Sequence, residues 1–505
     1  MKVPQISLVI FICTSIKSTK GITLSTNLGK LIGNDILVPG VGTVYTFLNI
    51  PYAKPPVGDL RLRKPQPYGT WQSTLNATSY GPSCMQPQYG ITDVAANREM
   101  SEDCLHLNIF VPNTVNTTAN KSVMIWIHGG AYTIGQSNAF DGTSLSLNGD
   151  VILVTINYRL GFFGFFGTGK PDSPGNYGLW DQHLAIKWVH DNIASFGGDP
   201  QSVTIFGESA GGGSVSFQSF FPGNRGLFQK VVSQSGVALS DFLRLQQSTL
   251  DRNVDAYFNY LNCSSADIVD SMSCLRNESA FDIQNTVDTA LAPYGGFSPL
   301  IDGDFVRGHA EKILESTESE EYQFFTSIDY MVGSLNGDGA VVIPGFIPPS
   351  VQKSFNFSVQ DGFSSSVLTM YLSGFFASYH QNKSSVKERI DDLYKTNVSD
   401  AQQGNLIVDF LTDFGFTFPA LMSADFHYLR SISRNKSKTF VYHMTRISSI
   451  QSIVYPGWTY PWLQRLTHGM DVLFLFNTSV FAGNQEDLDL ARQMLTYWTN
   501  FAKKR

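Results

Sequence analysis

A chain of 505 residues is long enough to bury a large core and too long for a small disulfide-stapled module. Charged residues make up only 15% of it and aromatics reach 13%, with 37 Phe; a hydrophobic share of 42% excludes a disordered chain. The net charge of −7 supplies no basic field to collect phosphates, which argues against nucleic acid as a partner.

The first predicted element is a leader. Met1–Lys2 is a basic start, Ile6 to Ile16 is an apolar run, and Ser18, Thr19 and Gly21 are small. The run is too short to anchor in a bilayer and reads as a signal peptide over about residues 1–20, cut between Ser15 and Thr23. Residues 21–505 carry no internal repeat or low-complexity linker, so they read as a single domain. Cys13 falls in the leader. The remaining Cys84, Cys104, Cys263 and Cys274 form two local groups, and Cys84–Cys104 and Cys263–Cys274 are the expected bridges among the possible connectivities. Sequons at Asn76, Asn116, Asn120, Asn262, Asn277, Asn356, Asn382, Asn397, Asn435 and Asn477 predict a secreted glycoprotein, whose sugar provides the polarity that charge does not. No later apolar stretch reads as a membrane span, and Lys503-Lys504-Arg505 is no lipid-anchor signal.

Strands are predicted at Val123–Ile127, Val151–Ile156, Val203–Phe206, Lys230–Ser233, Tyr330–Gly333 and Thr439–Tyr442, short apolar or β-branched runs typical of strands covered on both faces. Between them, Leu179–Ser195 carries Leu184, Ile186, Trp188, Val189 and Ile193 on one helical face, leaving His183 and His190 on the exposed one. This alternation predicts an α/β fold with a mixed, mostly parallel sheet between helices. Its chemistry belongs at the carboxyl ends of the strands.

At one such end stands Gly207-Glu208-Ser209-Ala210-Gly211, followed by a helix-like run. Gly-x-Ser-x-Gly between strand and helix predicts a sharp turn that presents the Ser209 hydroxyl. A serine nucleophile needs a base, an acid to orient that base, and backbone donors for the tetrahedral oxyanion. His128-Gly129-Gly130-Ala131-Tyr132 follows another strand, so the N–H groups of Gly130, Ala131 and Ala210 are the candidate donors. Glu208 is expected either to tune the local field or to act structurally. Of the nine histidines, His128, His183, His190, His443 and His468 remain open as the base on residue type alone. For the acid, Asp338 follows a strand, with Asp302 and Asp304 as poorer alternatives. Nothing resembles a zinc cluster; neither a metal nor an organic cofactor is expected.

Glu102-Asp103-Cys104-Leu105-His106-Leu107-Asn108-Ile109-Phe110 resembles the second signature of the type-B carboxylesterase/lipase family. Gly175-Asn176-Tyr177-Gly178-Leu179, then Gly197-Gly198-Asp199-Pro200 and on to Ser209, resemble its active-serine signature. Similarity extends from about Gly33 to the end of the chain; members usually continue past the position of Ala502, so the resemblance implies a domain that is short at its C-terminus. The resemblance implies an α/β-hydrolase with large insertions that hydrolyses carboxylic esters through an acyl-enzyme. It selects His468, in Thr467-His468-Gly469-Met470-Asp471, as the base and Asp338, where many members carry Glu, as the acid. It also implies that Ser235 hydrogen-bonds the acid. Segments Ser233–Ser240, Pro299–Phe305 and Tyr497–Lys503 are most similar to bile-salt-activated lipases, which implies lipid esters as substrates and contact with bile salt or a lipid interface. Val94 stands where cholinesterases hold the choline cation on Trp, and a valine has no π face for a cation. Pro293 and Gly295 stand near the acyl-pocket aromatics, implying room for bulky acyl groups. The family also contains catalytically silent cell-surface adhesion members, which is the alternative expectation, as is a narrow-specificity esterase that does not act on lipids.

Overall fold

Eleven strands among the described residues join into one sheet, in the order β1-β2-β3-β5-β7-β6-β8-β9-β10-β11 with β4 beside β2. The structure is a computed structural model and describes residues 21–87, 99–170, 173–240, 247–289, 297–347, 349–354, 357–364, 366–367, 398–431, 437–449, 451, 460–476, 481 and 484–504. The leader with Cys13, the specificity positions Val94, Pro293 and Gly295, and the sequon residues Asn356, Asn382, Asn397, Asn435 and Asn477 lie outside the described residues.

The strands are β1 Ile22–Thr26, β2 Gly29–Val38, β3 Gly42–Pro51, β4 Leu75–Asn76, β5 His106–Pro112, β6 Lys121–Ile127, β7 Ile152–Ile156, β8 Gly198–Glu208, β9 Lys230–Gln234, β10 Asp329–Leu335 and β11 Thr439–Met444. From β1 through β2, β3 and β5 to β7 the pairing is antiparallel. From β7 through β6, β8, β9 and β10 to β11 it is parallel. Every residue of β7 and β9 is buried, as expected of strands covered on both faces. Successive residues of β6 point to opposite cores: Ile125 and Ile127 join one apolar cluster, Met124 and Trp126 the other.

Helices Tyr177–Asn192 and Ala210–Phe220 pack into the first cluster, Met470–Phe476 and Gln485–Lys503 into the second. His183 is not on an open face. Its Nδ1 lies 2.7 Å from Asn224 Oδ1 and its ring meets Trp180 and Phe221, and burial lowers its pKa. The apolar stripe is broader than the periodicity implied, because Phe221, directly after helix Ala210–Phe220, and Phe305, from a later segment, cover the helix's flank. One stretch, Asp400–Leu429, is long and apolar enough to cross a membrane by length and composition, which corrects the expectation that no such stretch exists. In the fold, 56% of its most apolar window is buried, and the stretch is broken by a π-helical turn at Asp413–Thr417.

Two buried ion pairs tie connecting segments and a helix together. Arg159 Nε and Nη2 lie 2.7 Å from the two oxygens of Asp181, with both side chains buried. Arg61 grips Glu102 at 2.6 and 2.7 Å and also donates to the Leu275 carbonyl at 2.9 Å. Glu102 and Leu275 neighbour the two disulfides, Cys84–Cys104 and Cys263–Cys274, both present as expected. The Cys84→Ser/Cys104→Ser variant, which opens a loop of sequence separation 20, should lose roughly 3 kcal/mol in urea unfolding. An unchanged midpoint would mean that the Arg61–Glu102 clamp holds that loop alone.

The last helix reaches back to the sheet. Trp498 Nε1 donates to Gln234 Oε1 at 2.9 Å, and Lys230 Nζ donates to the carbonyls of Phe501 and Ala502 at 2.8 and 2.9 Å.

Candidate active site

β8 ends where its chain must turn at once into a helix. Gly207 and Gly211 permit this: a Cβ on Gly207 would lie 2.5 Å from the Ile127 carbonyl oxygen, and one on Gly211 only 2.1 Å from it. Ser209 takes the turn at φ 58° and ψ −124°, a strained conformation. Its N–H donates to the Gln234 carbonyl at 2.8 Å, and its carbonyl accepts from Gly213 N at 2.9 Å. The side chain is half-buried at the tip of the turn.

The loop after β6 packs against that tip. A Cβ on Gly129 would meet Ser209 Cβ at 3.0 Å. Gly130, Ala131 and Tyr132 all have positive φ, at 108°, 54° and 59°. Gln86 clamps the loop by bonding both the N–H and the carbonyl of Gly135, at 3.0 and 2.9 Å. Among the described residues the N–H groups of Gly130 and Ala131 have no acceptor, and the N–H of Ala210, first in its helix, has none by position. His128 turns away from the tip: it stacks on Tyr158, its Nδ1 lies 2.8 Å from the Gly129 carbonyl, and burial lowers its pKa to about 4.

His468 and Asp338 come together across 130 positions, with Nδ1 2.7 Å from Oδ1. Asp338 is fully buried, and its Oδ2 accepts from Ser235 Oγ at 2.9 Å and Leu335 N at 2.7 Å. The segment before His468 is pinned beside β10: Leu466 N donates to Asn336 Oδ1, Thr467 N to Gln451 Oε1, and Arg465 pairs with Asp409 at 2.9 and 3.0 Å. Asp302 and Asp304 lie elsewhere; Asp302 accepts from Asn176, and Asp304 pairs with Lys64.

Glu208 occupies a place the sequence left undecided. Its Oε1 lies 3.0 Å from His468 Nε2. Burial alone would lower the His468 pKa, but Glu208 and Asp338 outweigh it and push it up to about 10. A third carboxyl, unremarked in the sequence, closes the cluster from below. Asp471 accepts from Gln234 Nε2 at 2.8 Å and Tyr442 OH at 3.3 Å; burial, then the charges of Glu208 and Asp338, raise its pKa to about 7. An acid three residues after His468, inside the apolar run Met470–Phe476, was the available signal. The Phe416 ring lies against the His468 ring, with centroids 5.0 Å apart.

The sequence matches the model of the carboxylesterase family over residues 20–505. It is 33% identical to carboxylesterase 5A of Canis lupus familiaris, covering 95% of this chain and 81% of that protein, and 31% identical to carboxylesterase 1C of Mus musculus, covering 95% and 84%. It is also 32% identical to neuroligin-3 of Mus musculus over 95% of this chain. The chain spans 61% of the length of that relative.

Proposed function

We propose, from the premise that this chain belongs to the carboxylesterase family, that it is a secreted, glycosylated serine hydrolase of carboxylic esters. Its α/β-hydrolase fold is that of the family. The observation that carries the reading is the fully buried Asp338 held 2.7 Å from His468, whose other nitrogen reaches the residue adjoining Ser209. Ser209 attacks the ester carbonyl while His468 takes its proton, and Asp338 orients the imidazole and stabilises its charged form. Gly130, Ala131 and Ala210 offer N–H groups to the oxyanion. The alcohol departs with the proton from His468, and water resolves the acyl-enzyme by the same steps. The five described sequon residues, Asn76, Asn116, Asn120, Asn262 and Asn277, are all exposed, which supports their modification.

The pH dependence has a defined sign. A base must be neutral to accept the Ser209 proton, so kcat/KM should rise with pH through a limb displaced well above the ordinary histidine value of 6.5. Glu208→Gln removes the main opposing charge and should move that limb down by about one unit or more. A limb that stays in place in this variant would show that Glu208 does not hold the imidazolium. The same contacts contribute stability that is complete below the unfolded pKa and is lost as pH rises through about 10.

The substrate class we favour is lipid or other bulky acyl esters, in the manner of bile-salt-activated lipases. Comparing p-nitrophenyl butyrate with palmitate, with and without bile salt, tests this; turnover of the short ester alone would leave a narrow esterase. The similarity to neuroligin-3 over 95% of the chain sustains the other reading, a silent adhesion or scaffold member of the family. Folded, glycosylated protein that neither turns over the butyrate nor reacts with an organophosphate would remove the hydrolase reading and leave the second.

A further inference from the structure

The helical stretch 400–431 is interrupted where it passes the triad, and the interruption is tied to the loops around it. Just before it, the Thr412 hydroxyl accepts from Gly339 N at 2.8 Å, directly after the acid. Within the π-turn Asp413–Thr417, the Gly415 carbonyl accepts from Ser240 Oγ at 3.0 Å, and Thr417 Oγ1 lies 2.9 Å from the hydroxyl of Ser334 near the end of β10. Such single widened turns recur at functional sites because they re-aim one residue without ending the helix. Here the re-aimed residue is Phe416. It is 2% exposed. Its ring is tilted 54° against the imidazole of His468, itself 4% exposed.

We propose that Phe416 is a positioning residue for the catalytic base, a wall that the π-turn sets against its imidazole ring. The inference rests on the hydrolase reading above. Asp338 fixes the ring at Nδ1 but leaves rotation about that hydrogen bond open, and Glu208 draws Nε2 toward itself. A rigid ring on one face removes that freedom and keeps Nε2 available to Ser209. A flexible aliphatic side chain of similar volume would fill the space without fixing the tilt.

The test compares Phe416→Leu, Phe416→Tyr and the control Phe363→Leu, a fully buried ring in a separate cluster. Phe416→Leu should lower kcat for p-nitrophenyl butyrate about tenfold or more with KM within about twofold, the pattern of a misplaced catalytic group. It should also displace the acid limb of the pH profile and broaden the low-field proton NMR signal of the His468–Asp338 hydrogen bond. Phe416→Tyr should restore most of the rate and the signal; Phe363→Leu should lower the melting temperature but leave kcat, profile and signal unchanged. Wild-type kcat, profile and low-field signal in Phe416→Leu would overturn the proposal and leave the hydrolase reading standing. Wild-type protein without turnover, but with a low-field signal that Phe416→Leu broadens, would uphold the placement and remove the hydrolase reading instead.

Discussion

Ser209→Ala is expected to fold normally and to lose roughly five orders of magnitude or more in kcat/KM for p-nitrophenyl butyrate. The side chain sits half-exposed at the elbow, and what holds the turn is backbone: Ser209 N to Gln234 O, and Gly213 N to Ser209 O. Alanine at φ 58° is no more strained than serine. The melting temperature should therefore stay within a few degrees while the nucleophile is gone. His468, Asp338 and the N–H groups of Gly130, Ala131 and Ala210 remain, so a trace of rate above water should survive, because they still polarise the carbonyl. Fluorophosphonate labelling read by mass spectrometry supplies the companion measurement. The wild type should carry the adduct on the Ser209 peptide, and the variant should carry none. An undiminished rate in the variant, or an adduct on another serine, would remove Ser209 from the chemistry.

The largest expected loss of stability comes from Asp181→Asn, at about 3–5 kcal/mol. Asp181 is the whole counter-charge of Arg159: it takes Nε and Nη2 and also the Arg159 backbone N–H at 3.0 Å. The guanidinium is 3% exposed and, among the described residues, its Nη1 lacks a partner, so it has no water to retreat to. A loss of that size is a large share of a typical net stability of roughly 5–15 kcal/mol. The double variant Arg159→Met/Asp181→Leu should recover much of it, since a pair of apolar side chains buries no unpaired charge. Urea unfolding of the three proteins reads both numbers, and a single variant within about 1 kcal/mol of wild type would show the pair to be dispensable.

Much of the architecture was legible because it is local. The parallel strands β6 to β11 announce themselves as apolar runs, and the elbow is written in five consecutive residues. The antiparallel half was less visible: β2, in Gly29–Val38, mixes Lys30, Asn34 and Asp35 into its run because one of its faces is only partly covered. The third carboxyl was invisible for a different reason. Asp471 meets Gln234 across 237 positions, and no spacing rule reports a contact of that span. The same holds for Phe416, whose meaning depends on a turn type that composition does not specify. His183 was misplaced because helical periodicity describes one helix and cannot foresee what another segment lays over it. The abundance of Phe largely serves core packing: Phe47, Phe110, Phe162, Phe165, Phe166 and Phe196 are all fully buried.

The link from Trp498 through Gln234 to the backbone of Ser209 also sets an order of events in the cell. The elbow lies in the first half of the chain, yet one support of the residue that holds it is supplied by the final helix. Synthesis proceeds from the N-terminus, and such long-range contacts close slowly. A chain synthesised only as far as the elbow thus carries the full nucleophile sequence without the Trp498–Gln234 contact behind it. That support is added only once Trp498 has been made, 289 positions beyond Ser209.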